Sequence, residues 1–139
     1  MNMKKIILFL ITITTLGSCS TDKLTETPDS QFEGAWVLSE KSMLDGIEIE
    51  ISKDKQGNFH GLITKLNDNK YVQLFMNVGD KFVAGIKRKS NFEFEISEKK
   101  IAAPLFSQYG QSTTLKSSAQ FESLDKIKLS ENGYYTRIK

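Results

Sequence analysis

Reactive and rigid residues are scarce in this chain of 139 residues, which has one cysteine, one histidine, one tryptophan, two prolines and two arginines. A lone thiol forms no disulfide within the chain, so the fold rests on core packing whatever its redox compartment. One cysteine and one histidine exclude zinc sites built from Cys and His pairs. Arg88 and Arg137 are the only arginines, too few for extensive forked recognition of phosphates or carboxylates. Charge of one sign is also missing: 19 basic and 17 acidic groups leave a formal charge of +2. The basic residues are scattered rather than striped, so nucleic acid is not an expected partner. Neither a G-x-S-x-G elbow nor a glycine-rich phosphate loop is present. The N-terminal apolar run, "IILFLITITTL", spans 11 residues, short of the roughly 20 a membrane-spanning helix needs.

A positive start, "MNMKK", a short apolar run and small residues at its end form the pattern of a secretory signal. The ending, Leu16-Gly17-Ser18-Cys19, resembles the bacterial lipobox: an aliphatic residue, two small residues and a cysteine. That resemblance implies cleavage before Cys19, a diacylglyceryl thioether on its sulfur and acylation, typically palmitate, of the new amine. Several acyl chains pass the threshold for stable anchoring, which one chain alone does not. The sole thiol is thereby consumed as a lipid carrier. Loss of residues 1–18 removes Lys4 and Lys5 and no acid, so the mature charge is 2 − 2 = 0. Ser20 stands where an aspartate would favour inner-membrane retention in some Gram-negative bacteria, which points to the outer membrane. Residues 19–31, "CSTDKLTETPDSQ", are polar and aperiodic and read as the lipidated N-terminus and a flexible tether.

From residue 32 to 139 the pattern is that of one all-β domain. "GIEIEIS" puts Ile47, Ile49 and Ile51 on one face, and "NFEFEIS" does the same with Phe92, Phe94 and Ile96. Such alternation marks strands with one buried and one wet face. "NFHGLITKL", "KYVQLFMNV", "KFVAGIK", "STTLKSSAQFESL", "DKIKLS" and "YYTRIK" are the further strand candidates. "KQGN", "NDN", "RKSN" and "ENG" carry turn chemistry between them. "SEKSML" reads as a short helical turn, and "APLFSQYGQS" as a long loop whose Phe106 and Tyr109 either cap the core or are exposed. About eight to ten short strands predict a small antiparallel up-and-down barrel, which closes its own edges. Alternation points Ile47, Ile49, Ile51, Val72, Leu74, Met76, Phe82, Ala84, Phe92, Phe94, Ile127 and Leu129 inward.

"FEGAWVL" and the closing "YYTRIK" are similar to the G-x-W opening and the last-strand arginine of lipocalin-like (calycin) barrels. The resemblance implies that Gly34 allows close backbone approach at the barrel base. It further implies that Trp36 plugs that end and that Arg137 packs across the indole. The loop motifs of full lipocalins are not evident, so a simplified bacterial relative is the closer analogy.

Catalytic chemistry does not stand out. His60 has no metal-ligand companions, "DKQGN" lacks the repeated oxygen ligands of a calcium loop, and Glu93 and Glu95 share a solvated face. The chain therefore reads as a non-enzyme with no cofactor and no metal. Two roles stay open. One is the carriage of a small apolar or amphipathic ligand in the lumen, with Met76, Phe82, Phe94 and Tyr109 as candidate contacts. The other is a filled barrel that docks on an envelope protein complex; inhibition of an incoming enzyme ranks lower, since such inhibitors are often disulfide-stapled. The anchor yields the first prediction: Cys19→Ala abolishes incorporation of radiolabelled palmitate in the native host, and label retained by that variant removes the lipobox reading.

Overall fold

The structure is a computed structural model that describes residues 26–139. The expected signal segment, Cys19 and the first part of the tether lie outside the described residues. Eight antiparallel strands follow one another around a closed barrel: β1 (Gly34–Ser39), β2 (Glu48–Lys53), β3 (Phe59–Lys65), β4 (Lys81–Arg88), β5 (Glu93–Lys99), β6 (Thr114–Ser123), β7 (Lys126–Leu129) and β8 (Tyr134–Arg137). β8 returns to pair with β1, placing Trp36 opposite Arg137. Each strand pairs with its sequence neighbours, so the architecture is all-β and up-and-down. Two six-residue helices, α1 (Lys70–Phe75) and α2 (Ala103–Gln108), interrupt the meander.

The two ends of the barrel differ. At the base, the connections 54–58, 89–92 and 124–125 are tight; at the mouth, 40–47, 66–80, 100–113 and 130–133 include all the longer segments. The base is sealed by the chain entering the barrel. A 3-10 turn at Asp29–Phe32 drives Phe32 into the lumen. There its ring meets Phe94 at 4.5 Å edge-on, Phe121 at 4.9 Å and Phe59 at 5.6 Å. Trp36 is wholly buried beside it and donates its indole N–H to the Phe32 carbonyl at 2.8 Å. The Arg137 guanidinium lies 4.2 Å from the Trp36 ring centre. Gly34, at φ +125°, leaves room for that arginine: a Cβ there would sit 2.9 Å from Arg137 Nη1. Inward side chains from every strand complete a continuous core.

Residues 26–31, which composition assigns to a flexible tether, are held against the barrel. Arg88 binds the carboxylates of Glu26 at 3.1 Å and Asp29 at 2.6 Å, donates to the Thr27 carbonyl and stacks on Phe94.

Several expectations fail locally. "KYVQLF" forms helix α1 rather than a strand, because Asn69 caps it: its side chain accepts from the backbone N–H groups of Tyr71 and Val72. Helical spacing then buries Val72 and Met76, while Leu74 points outward and is 73% exposed. "APLFSQ" is likewise helical rather than loop, with Pro104 in its first turn. Ala84 faces solvent because an irregularity between Val83 and Gly85 puts both Phe82 and Val83 in the core and resets the alternation after them. Phe92 is also exposed, because it falls in the β4–β5 turn, where Lys89 and Ser90 donate to the Glu93 carbonyl, and β5 begins after it.

The base packing predicts that Trp36→Ala lowers unfolding free energy by about 3–5 kcal/mol, as large-to-small aromatic core changes do. Urea denaturation of the purified chain measures this, and a wild-type midpoint would contradict the packing role.

Candidate functional site

At the mouth, the alternation of β5 carries a charge into the core. Phe94, Ile96 and Glu98 share the inward face, and Glu98 is the charged side chain among the described residues that is buried, at 3% exposure. Both of its oxygens are engaged. Oε1 accepts from the phenol of Tyr135, which is fully buried on β8. Oε2 accepts from the Lys41 ammonium at 2.8 Å, with 10% and 4% of the two side chains exposed. Ser117 of β6 is buried nearby. Burial, with the Glu98 carboxylate second, pushes the Tyr135 phenol well above the ordinary value of 10.0. The tyrosine is thus a fixed donor.

Lys41 reaches Glu98 from the β1–β2 connection, not from the barrel wall. Glu40 and Ser42 on either side of it adopt φ of +55° and +54°, and Asn132 in the β7–β8 turn adopts +112°. These are left-handed conformations that side chains with a Cβ resist. Gly133 must be glycine, since a Cβ there would clash with the Lys41 stem. Beside the pair lies a cleft of about 420 Å³ lined by Glu40, Lys41, Ser42, Leu44, Glu98, Leu115, Ser117, Glu131, Asn132 and Gly133. Three carboxylates and one ammonium give it an acidic character.

Apolar side chains are exposed at the same end, on the connections and at the start of β6. Met43, Tyr71, Leu74, Leu105, Tyr109 and Leu115 are all exposed, Tyr109 at 80%. Asn67 binds the connections together by donating to the Met43 and Asp45 carbonyls at 2.7 and 2.8 Å. Below them Val72 and Met76 close the lumen. A cavity bounded by Ile63, Met76 and Phe82 there holds only about 10 Å³.

The residues suggested as ligand contacts therefore do not share one chamber. Phe82 and Phe94 are core, Met76 is buried under the mouth, and Tyr109 projects into solvent. Gly34, Trp36 and Arg137 meet at the base, as the fold describes. His60 faces outward across β2, 3.4 Å from Ser52 Oγ. Asp54 lies near in sequence, but its Oδ1 accepts from the N–H groups of Asn58 and Gln56, which hold its carboxyl below the ordinary range. A turn, not a charge relay, occupies that aspartate. No group of three or more metal-ligating side chains occurs among the described residues. No family model, curated protein or solved structure matches the chain.

Sequence reading overlooked Glu98 and Lys41. The signal for Glu98 was present in its period-two register with Phe94 and Ile96; Lys41 sits in a loop and gave none.

The raised phenol predicts an alkaline stability change. Above the ordinary tyrosine value the unfolded chain releases this proton while the folded chain keeps it. Stability therefore is present in full below about pH 10 and falls as pH rises toward the folded value. Tyr135→Phe removes this component of the slope between pH 9.5 and 11.5 in urea titrations, and also costs about 1–3 kcal/mol at pH 7 by orphaning one Glu98 oxygen. Parallel slopes for variant and wild type would contradict the assignment.

Proposed function

We propose that the chain is a lipid-anchored envelope protein, a simplified lipocalin-like barrel without catalytic chemistry, that works as a docking module for another envelope protein. The observation that carries this reading is the filled lumen. Small-molecule pockets run to about 300 Å³ and more, whereas aromatic rings occupy the base, α1 seals the mouth, and the gap between Ile63, Met76 and Phe82 holds about 10 Å³. That packing favours an outer-surface role over carriage of an apolar cargo.

The direction of the anchor supports the same reading. Cys19 precedes Glu26 by seven residues, a reach of at most about 25 Å when fully extended. The chain enters at the base, where Arg88 and Arg137 bind residues 26–33. A lipid on Cys19 keeps the base toward the membrane and presents the mouth, with its acidic cleft and apolar rim, to the envelope space. Exposed apolar side chains are more numerous at the mouth than at the base, where Phe92, Leu124 and Ile138 are exposed, and exposed apolar surface is a feature of protein interaction sites. Lipidation at Cys19 and outer-membrane residence are parts of this proposal.

Site-specific photo-crosslinking in the native host tests it. A photoreactive residue in place of Leu74, at the mouth, yields a protein adduct of one reproducible mass, while the same residue in place of Leu124, at the base, does not. Equal adducts from both positions, or lipid adducts alone from Leu74, would overturn the docking role.

A further inference from the structure

β6 outruns its neighbour. It spans ten residues and β7 only four, so pairing between them runs from Ser123↔Lys126 up to Ala119↔Leu129. One more bond follows, from Ser130 N–H to the Ser118 carbonyl at 2.8 Å, and then β7 has ended. Strand alternation turns the N–H and C=O of Lys116 to that same side. Thr114 would do likewise, but Ser112 Oγ covers it, donating to its carbonyl and accepting from its N–H. Among the described residues, the Lys116 backbone donor and acceptor thus have no partner on the side beside the acidic cleft.

The cleft floor shows which chemistry it accepts. Lys41, an ammonium on a four-carbon stem, crosses Gly133 to reach Glu98. It is supplied by a connection whose backbone is strained on both sides of it. Glu40 and Glu131 at the rim add negative charge, and Leu115 adds exposed apolar surface.

We infer that the cleft receives an extended basic segment of the partner protein, added as a short strand to the free upper edge of β6, with one lysine or arginine taking the place of Lys41 on Glu98. This deepens the docking proposal and rests on it. Main-chain bonds to Lys116 supply affinity in such strand addition, and the side-chain pocket supplies selectivity. Lys41 acts as the resident competitor, so its loss favours the partner.

The test uses the full detergent-extracted chain and a fluorescent, acetylated pentapeptide alternating threonine and lysine. That peptide is strand-prone and too polar to partition into micelles. Binding is read by anisotropy. The expected results are saturable binding, affinity raised about tenfold in Lys41→Met because the competent state is populated more fully, and binding weakened in Glu131→Lys and in Glu98→Gln. Replacing lysine by glutamate, or methylating alternate peptide nitrogens, abolishes binding. If Lys41→Met fails to fold, the Glu131→Lys and N-methyl arms decide alone. Binding that survives N-methylation, binding indifferent to Glu131 charge reversal, or competition by spermidine as effective as by the peptide overturns the inference. Loss of peptide binding while Leu74 still crosslinks to a protein overturns the inference and leaves the docking role standing.

Discussion

Both arginines of the chain are bound to the segment that enters the barrel. Arg137 stacks on Trp36 and donates to the carbonyls of Gln31, Glu33 and Leu124, with Asp125 completing its shell at 3.2 Å. Arg88 stacks on Phe94 and binds Glu26, Thr27 and Asp29. Each cation–π contact contributes about 0.5–2 kcal/mol, but the larger effect is geometric. Guanidinium offers five donors in a planar fork, enough to hold several carbonyls at once in a segment with no strand to pair with. Fixing that segment places Phe32 in the lumen, and Phe32 is what three other phenylalanines pack against. The base, the filled core and the direction of the incoming chain all depend on this clamp.

A sealed base shifts variation to the mouth. An eight-stranded barrel has an interior that side chains nearly fill, and this one packs Phe32, Trp36, Phe59, Phe94 and Phe121 together at the lower end. The upper end is closed by Val72 and Met76, at α1 and its C-terminal cap, over Phe82 and Tyr135. The longer connections are free to carry exposed apolar and charged groups because no core role constrains their outward faces. The polarity of the molecule follows from one asymmetry, tight turns below and long connections above.

The strands were legible in the sequence wherever one face is dry. β2 and β5 alternate strictly, and their registers in the barrel follow that alternation. The G-x-W opening and the terminal arginine also stand side by side, on paired strands. What escaped were features set by single residues. In "NDNKYVQLFM" the helix is specified by the Asn69 cap and by Val72, Phe75 and Met76 at helical spacing, but over so short a run Val72, Leu74 and Met76 also fit alternation. At Ala84 one irregular residue moved the inward set, and no composition signal marks such a place. The acidic cleft was partly legible, since period two sends Glu98 inward after Phe94 and Ile96. Its partner Lys41 was not, because a loop residue's reach depends on backbone conformations that only the folded chain reveals.

Glu98 is the point at which stability and role separate. Its desolvation is offset only while Tyr135 and Lys41 both hold it, and an apolar set of similar volume would serve folding as well or better. The left-handed backbone at Glu40, Ser42 and Asn132 adds strain around the same pair, about 1–3 kcal/mol at each residue. Elsewhere the barrel shows no such extravagance: among the described residues no other charged side chain is buried, and each buried side-chain polar atom has a hydrogen-bond partner. Strain and buried charge concentrated beside a cleft, at the end remote from the incoming chain, are costs that core packing does not require. They lie at the same end of the molecule as the proposed docking surface.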